Sequence, residues 1–190
     1  MVFQLLGGSN FIRIEYPTHT LHEGFIRNTY SNLSVSGLSV HPRRGRFILD
    51  YIDADTIDKV IILFVNSNGY ALTDYSTFVT DYISAIRQIL AKGYSASQII
   101  LLTPLIRGDN IRHHFDQLMQ INRLKLALDQ LHITHYDTYH HLPVSLRDTS
   151  KLFGRRSIRQ RSFIHYSSGC RNSIHDLVGF SMMCAYQLDF

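Results

Sequence analysis

The chain is poor in cysteine, with only Cys170 and Cys184 among 190 residues. Two thiols cannot build a disulfide framework, and no second pair completes a zinc site. A reducing, cytoplasmic setting is expected. Glycine and proline are also scarce, at 11 and 4 residues, which excludes a collagen-like repeat and a Gly/Pro-rich disordered chain. No apolar run approaches the ~18 residues needed to span a bilayer, and no basic region precedes "VFQLL" as in a signal peptide. No membrane partner is therefore expected. Internal repeats are absent, and "GGSN" (7–10) lacks the Gly-Lys-Ser or Gly-Lys-Thr ending of a phosphate-binding loop. What remains is a 22.0 kDa chain with 45% hydrophobic and 18% charged residues. That is an ordinary globular composition, and one domain over residues 1–190 is the expectation.

Charge is unevenly spread. Residues 1–50 carry five arginines against three acids, and 151–190 carry six basic residues against two acids, while 51–103 are net acidic. Clustered Lys and Arg act together on phosphates, so the excess at both ends suggests a polyanionic partner.

Hydrophobic patterning alternates between two periods. "VFQLL" (2–6), "NLSVSG" (32–37), "KVIILFV" (59–65), "QIILLT" (98–103) and "ITHYDTY" (133–139) are short, aliphatic or β-branched, and bounded by turn residues. They read as five strands. After Asp74, residues Phe78, Val79, Tyr82, Ile83, Ile86, Ile89 and Leu90 recur at helical spacing, and Gly93 stands where that helix should stop. A second helix is expected from about Asp109 to Leu131 and a third from about Ser173 to Gln187. Apolar strands separated by amphipathic helices imply a five-stranded parallel sheet covered on both faces. The expected fold is a three-layer α/β/α sandwich with flavodoxin-like strand order. In such folds chemistry sits at the carboxyl ends of strands.

The turns after the first three strands read "GGSN" (7–10), "SVSGLS" (34–39) and "NSNG" (66–69), and "NSIHDLVGF" (172–180) follows near the C-terminus. In order and spacing these blocks resemble the SGNH, or GDSL, family of esterases and lipases. The resemblance implies Ser9 as nucleophile, His175 as its base, and an acid three residues before the histidine; the sequence itself leaves His165 open as an alternative base. It also implies Gly37 and Asn68 as oxyanion donors. The chain departs from the family pattern at Gly8, Asn66, Gly69 and Asn172, each standing where the family has another residue. A neutral amide at Asn172 orients an imidazole but does not stabilise its cation as a carboxylate does. These departures carry the expectation that the domain is not an enzyme, that Ser9, Gly37, Asn68, Asn172 and His175 are vestigial, and that no small-molecule substrate is bound. An SGNH-type esterase using Ser9 and His175 is the alternative, and a protein-binding scaffold is a third reading.

The segment "KLFGRRSIRQRSFIHY" (151–166) sets Lys151, Arg155, Arg156, Arg159 and Arg161 among Phe153, Phe163, His165 and Tyr166. Arginine forks bind phosphates, and aromatic rings stack on unpaired bases. RNA is accordingly the expected partner, with Arg27 joining the patch. An arginine-rich segment on a degenerate SGNH scaffold resembles the C-terminal SGNH-like domains of insect germ-plasm organisers. That resemblance implies binding to messenger RNA 3′ untranslated regions, association with germ-plasm proteins, and residence in cytoplasmic ribonucleoprotein granules. No cofactor is expected. Nor is a metal, because "HITHYDTYHH" (132–141) pairs His135 with Asp137 on one strand face but offers no further ligand pair at zinc spacing.

Overall fold

A computed structural model describes residues 2–7, 30–35, 37–42, 46–65, 76–105, 114–142 and 177–178. Seven strands fall within them: β1 (Val2–Gly7), β2 (Tyr30–Asn32), β3 (Leu38–Ser39), β4 (Arg46–Phe47), β5 (Lys59–Phe64), β6 (Ile99–Leu102) and β7 (Thr134–Tyr136). The described α-helices are α1 (Phe78–Ala91), α2 (His114–Gln130) and the short α3 (Thr138–His141).

Five strands form one sheet in the order β2-β1-β5-β6-β7, and every pairing is parallel. Counting only those five strands, the order is 2-1-3-4-5, the flavodoxin-like order expected. The long central ladder runs from Val2 opposite Lys59 to Gly7 opposite Phe64. Because side chains alternate across a sheet, this ladder feeds two cores. Phe3, Leu5, Val60, Ile62, Phe64, Ile100 and Leu102 share one core with Ile121, Leu177 and Val178. Leu6, Ile61, Leu63, Ile99 and Leu101 share the other with Phe78, Tyr82, Ile86 and Ile89 of α1 and Leu124 and Leu128 of α2. Burial on both faces explains why these strands are apolar at successive positions.

Helix α1 ends as anticipated. The Lys92 N–H donates to the Gln88 and Ile89 carbonyls at 3.1 and 3.0 Å. Gly93 follows with φ +104, a left-handed conformation that glycine adopts at little cost.

Two strand boundaries differ from expectation. The second strand was expected over 32–37, but β2 ends at Asn32. The Asn32 side-chain oxygen accepts from the Ser34 N–H at 3.0 Å, and this local turn takes Ser34 out of regular pairing. The chain still runs beside β1, since Leu33 N–H donates to Leu5 O at 2.9 Å and Val35 N–H to Gly7 O at 3.1 Å. The fifth strand was expected to reach residue 139, but β7 stops at Tyr136. Asp137 instead caps α3, its carboxylate accepting from the His140 N–H at 3.1 Å. Of the third expected helix, Leu177 and Val178 are helical and buried, and its remaining residues lie outside the described ones. The expected start of the second helix near Asp109 likewise lies outside them.

Ile62 is fully buried at the sheet centre, whereas Ile57 is 76% exposed. Ile62→Ala is expected to cost about 2–5 kcal/mol in urea unfolding, and Ile57→Ala less than about 0.5 kcal/mol.

Candidate active site

Three strand ends meet at the carboxyl edge of the sheet. β1 ends at Gly7, directly before Gly8 and Ser9 in sequence. The stretch after β2 is held to it by the Val35-to-Gly7 hydrogen bond. β5 ends at Phe64, opposite Gly7, directly before Val65 and the "NSNG" turn. The blocks carrying Ser9, Gly37 and Asn68 therefore leave the sheet from neighbouring positions.

Gly37 is the one member of that set within the described residues. A turn brings Leu38 N–H to Val35 O at 3.2 Å, and Arg46 N–H donates to Gly37 O at 3.0 Å, starting the β3/β4 pair. Gly37 has φ +78, while a Cβ built on it would meet nothing within 4 Å. Conformation, not space, is what demands glycine here. Ser9, Asn68, Asn172 and His175 lie outside the described residues, as do Arg27, Lys151, Arg155, Arg156, Arg159 and Arg161. Leu177 and Val178, two and three positions after His175, pack on the same core as Leu5, Ile62 and Phe64, which anchors the end of that block against the sheet.

Tyr82 was read from the sequence only as part of an apolar helix face. In the structure its hydroxyl donates to the Val65 carbonyl, the last described group before "NSNG". Complete burial pushes this phenol far above its ordinary pKa, so it remains a donor at all working pH. Phe78 packs on it with ring centroids 5.1 Å apart. The available signal was a tyrosine in an apolar stripe, because a buried phenol needs a partner.

At the β7 end, Lys125 donates to Asp137 at 2.6 Å, and His140 Nδ1 lies 2.8 Å from the same carboxylate oxygen. Burial raises the Asp137 pKa, but the hydrogen bonds from Lys125 and His140 outweigh it and hold the carboxyl below its ordinary value. His135 turns elsewhere, its Nε2 2.9 Å from Asp129. The expected pairing of His135 with Asp137 on one face does not occur, because Asp137 has left the strand to cap α3. Among the described residues no three His, Cys, Asp or Glu side chains gather as a metal site, and no helix is long and apolar enough to cross a membrane.

No protein-family model matches the sequence, and no curated protein matches it. Solved structures do match in three dimensions. A GDSL-like lipase from Bacteroides thetaiotaomicron superposes with a TM-score of 0.63 at 11% identity, over 96% of this chain and 88% of that one. The fold is SGNH hydrolase-like. A protein assigned as an acylhydrolase from Bacteroides fragilis gives 0.60 at 14% identity, over 94% and 85% of the two chains. One assigned as a platelet activating factor from Streptococcus pneumonia gives 0.51 at 17%, over 92% and 82%.

These matches correct the expectation of a domain that is not an enzyme. That expectation rested on Gly8, Asn66, Gly69 and Asn172 as signs of a lost site. The proteins sharing this architecture are described as a lipase and an acylhydrolase. All four residues lie outside the described ones, while the five-stranded parallel sheet from which the first three blocks depart is intact.

Gly37→Ala is expected to cost about 1–2 kcal/mol in thermal unfolding, from the left-handed conformation alone. A lowered Asp137 pKa contributes stability above the unfolded-state value of 3.8 and loses it as pH falls through the folded value. The stability difference between wild type and Asp137→Asn should accordingly be flat above about pH 5 and shrink progressively in more acidic buffer. A difference that stays constant into strong acid would refute the assignment.

Proposed function

We propose that the chain is an SGNH-type ester hydrolase. The observation that carries this reading is the meeting, at one edge of an SGNH-like sheet, of the β1 and β5 ends at Gly7 and Phe64 with the stretch after β2, held to Gly7 through Val35. Ser9 Oγ attacks the ester carbonyl as His175 takes its proton, and the carbonyl π electrons move onto oxygen. The Gly37 N–H and the Asn68 side-chain amide donate to that oxyanion, each worth on the order of 3 kcal/mol. Collapse expels the alcohol, which receives the proton from His175. Water, deprotonated by the same imidazole, then hydrolyses the acyl-serine. Asn172 orients the imidazole without a full charge to stabilise its cation, so a slow enzyme is the expected result. In serine proteases the equivalent Asp-to-Asn exchange lowers turnover about 10⁴-fold.

Release of p-nitrophenol from short-chain p-nitrophenyl esters tests the reading. Ser9→Ala and His175→Ala should each abolish enzyme-dependent turnover, and Asn172→Asp should raise it, with about 10⁴-fold as the ceiling. Turnover indifferent to Ser9 would refute the proposal.

A second reading concerns a binding surface on the same domain and rests on five cations within residues 151–161. Such a cluster, interleaved with aromatics, supports binding to RNA, with messenger 3′ untranslated regions as targets. In this respect the chain resembles the C-terminal domain of Oskar, the insect germ-plasm organiser, and residence in ribonucleoprotein granules would follow. Fluorescence anisotropy on labelled RNA should show affinity falling steeply with salt. The combined replacement of Arg155, Arg156, Arg159 and Arg161 by Glu should remove it, and unchanged affinity would exclude this surface.

A further inference from the structure

Helix α2 carries two apolar stripes. Its inward face follows Gln117, Ile121, Leu124 and Leu128, all buried. The same four-three-four spacing recurs two residues earlier, at Phe115, Met119, Asn122 and Leu126. Two residues turn an α-helix by about 200°, so this second stripe faces away from the core. Phe115 is 73% exposed, Met119 40% and Leu126 64%. Among the described residues, three of the four large exposed hydrophobics thus lie on one line of one helix. Scattered exposed apolar residues are normal on a protein surface, but a line of them marks an interaction site.

We propose that this stripe is a self-association surface, pairing α2 with α2 of a second copy in antiparallel orientation about a twofold axis. This inference is independent of the hydrolase reading. The charge pattern selects both the occupant and the orientation. Asp116 and Arg123 lie on the same flank of the stripe, one near each end, as 3.6 residues per turn dictates. In an antiparallel twofold pair like flanks face each other. Setting Phe115 against the partner copy's Leu126 then brings each Asp116 within reach of the other copy's Arg123, twice by symmetry. A parallel pair sets unlike flanks together and brings Arg123 beside the other copy's Lys125. Antiparallel helix dipoles also attract. One helix face is smaller than a standard stable interface, so the dimer is a weak one, with a dissociation constant of about 10–100 µM.

Sedimentation equilibrium of the full chain from low micromolar to about 0.5 mM tests this range. Wild type should move from monomer to dimer, and Leu126→Glu should weaken the dimer at least tenfold. Leu126 is exposed, and unchanged melting would confirm an intact fold. Arg123→Asp should weaken association, and adding Asp116→Arg should restore it, since the swap recreates the pair in reverse. A wild-type chain that is monomeric throughout, or a dimer indifferent to Leu126→Glu, would overturn the proposal. Failure of the charge swap to restore association would overturn the antiparallel register.

Discussion

The parallel ladder between β1 and β5 is the constraint on which the rest depends. Its strands are buried on both sides, so neither face tolerates the polar alternation of a half-exposed sheet, and both need a covering layer. A parallel pair cannot be joined by a tight turn, which requires long connections crossing a face of the sheet. Layers, strand order and the position of the functional edge follow from these two requirements. Opposing Gly7 to Phe64 also sets the exits of the two central strands side by side.

The groups that stabilise this edge are mostly ordinary packing with a few polar locks. Tyr82 is one, spending its only hydroxyl on a strand-end carbonyl from within a helix that otherwise buries hydrocarbon. Thr103 is another, accepting at 3.0 Å from the Thr138 N–H, which ties the end of β6 to the start of α3. The opposite edge is held by charge instead. Lys59 reaches Asp53 at 2.7 Å and Asp55 at 3.2 Å on the loop preceding β5. Those pairs are solvated and worth little individually.

How legible all this was in the sequence varied by type of signal. Strand cores such as "KVIILFV" announce themselves because two-sided burial makes every position apolar. Strand ends do not, because they are decided by single side chains: Asn32 closing on Ser34, and Asp137 turning to cap α3. Both residues are also compatible with an extended chain, so composition alone could not distinguish a strand continuing from a strand ending. The candidate site was read from spacing between blocks, and of its residues only Gly37 falls within the described ones. The expectation of a domain that is not an enzyme gave four residue identities, Gly8, Asn66, Gly69 and Asn172, more weight than the framework presenting them. Tyr82 escaped notice because hydrophobic periodicity counts a tyrosine by its ring and ignores its oxygen.

Helix α2 shows the converse problem, a sequence pattern with more apolar residues than one face needs. A surface helix covering a sheet requires a single stripe, which Ile121, Leu124 and Leu128 provide. Phe115, Met119 and Leu126 add a second at the same spacing, and no packing requirement within the described fold calls for it. Periodicity detects such a helix readily but does not distinguish its two stripes, since both repeat every 3.6 residues and differ only in phase. Phase becomes meaningful only once the sheet defines which direction is inward. The functional surface of this element is therefore set by the register of the ladder beneath it, and no reading of α2 alone would have separated core from contact.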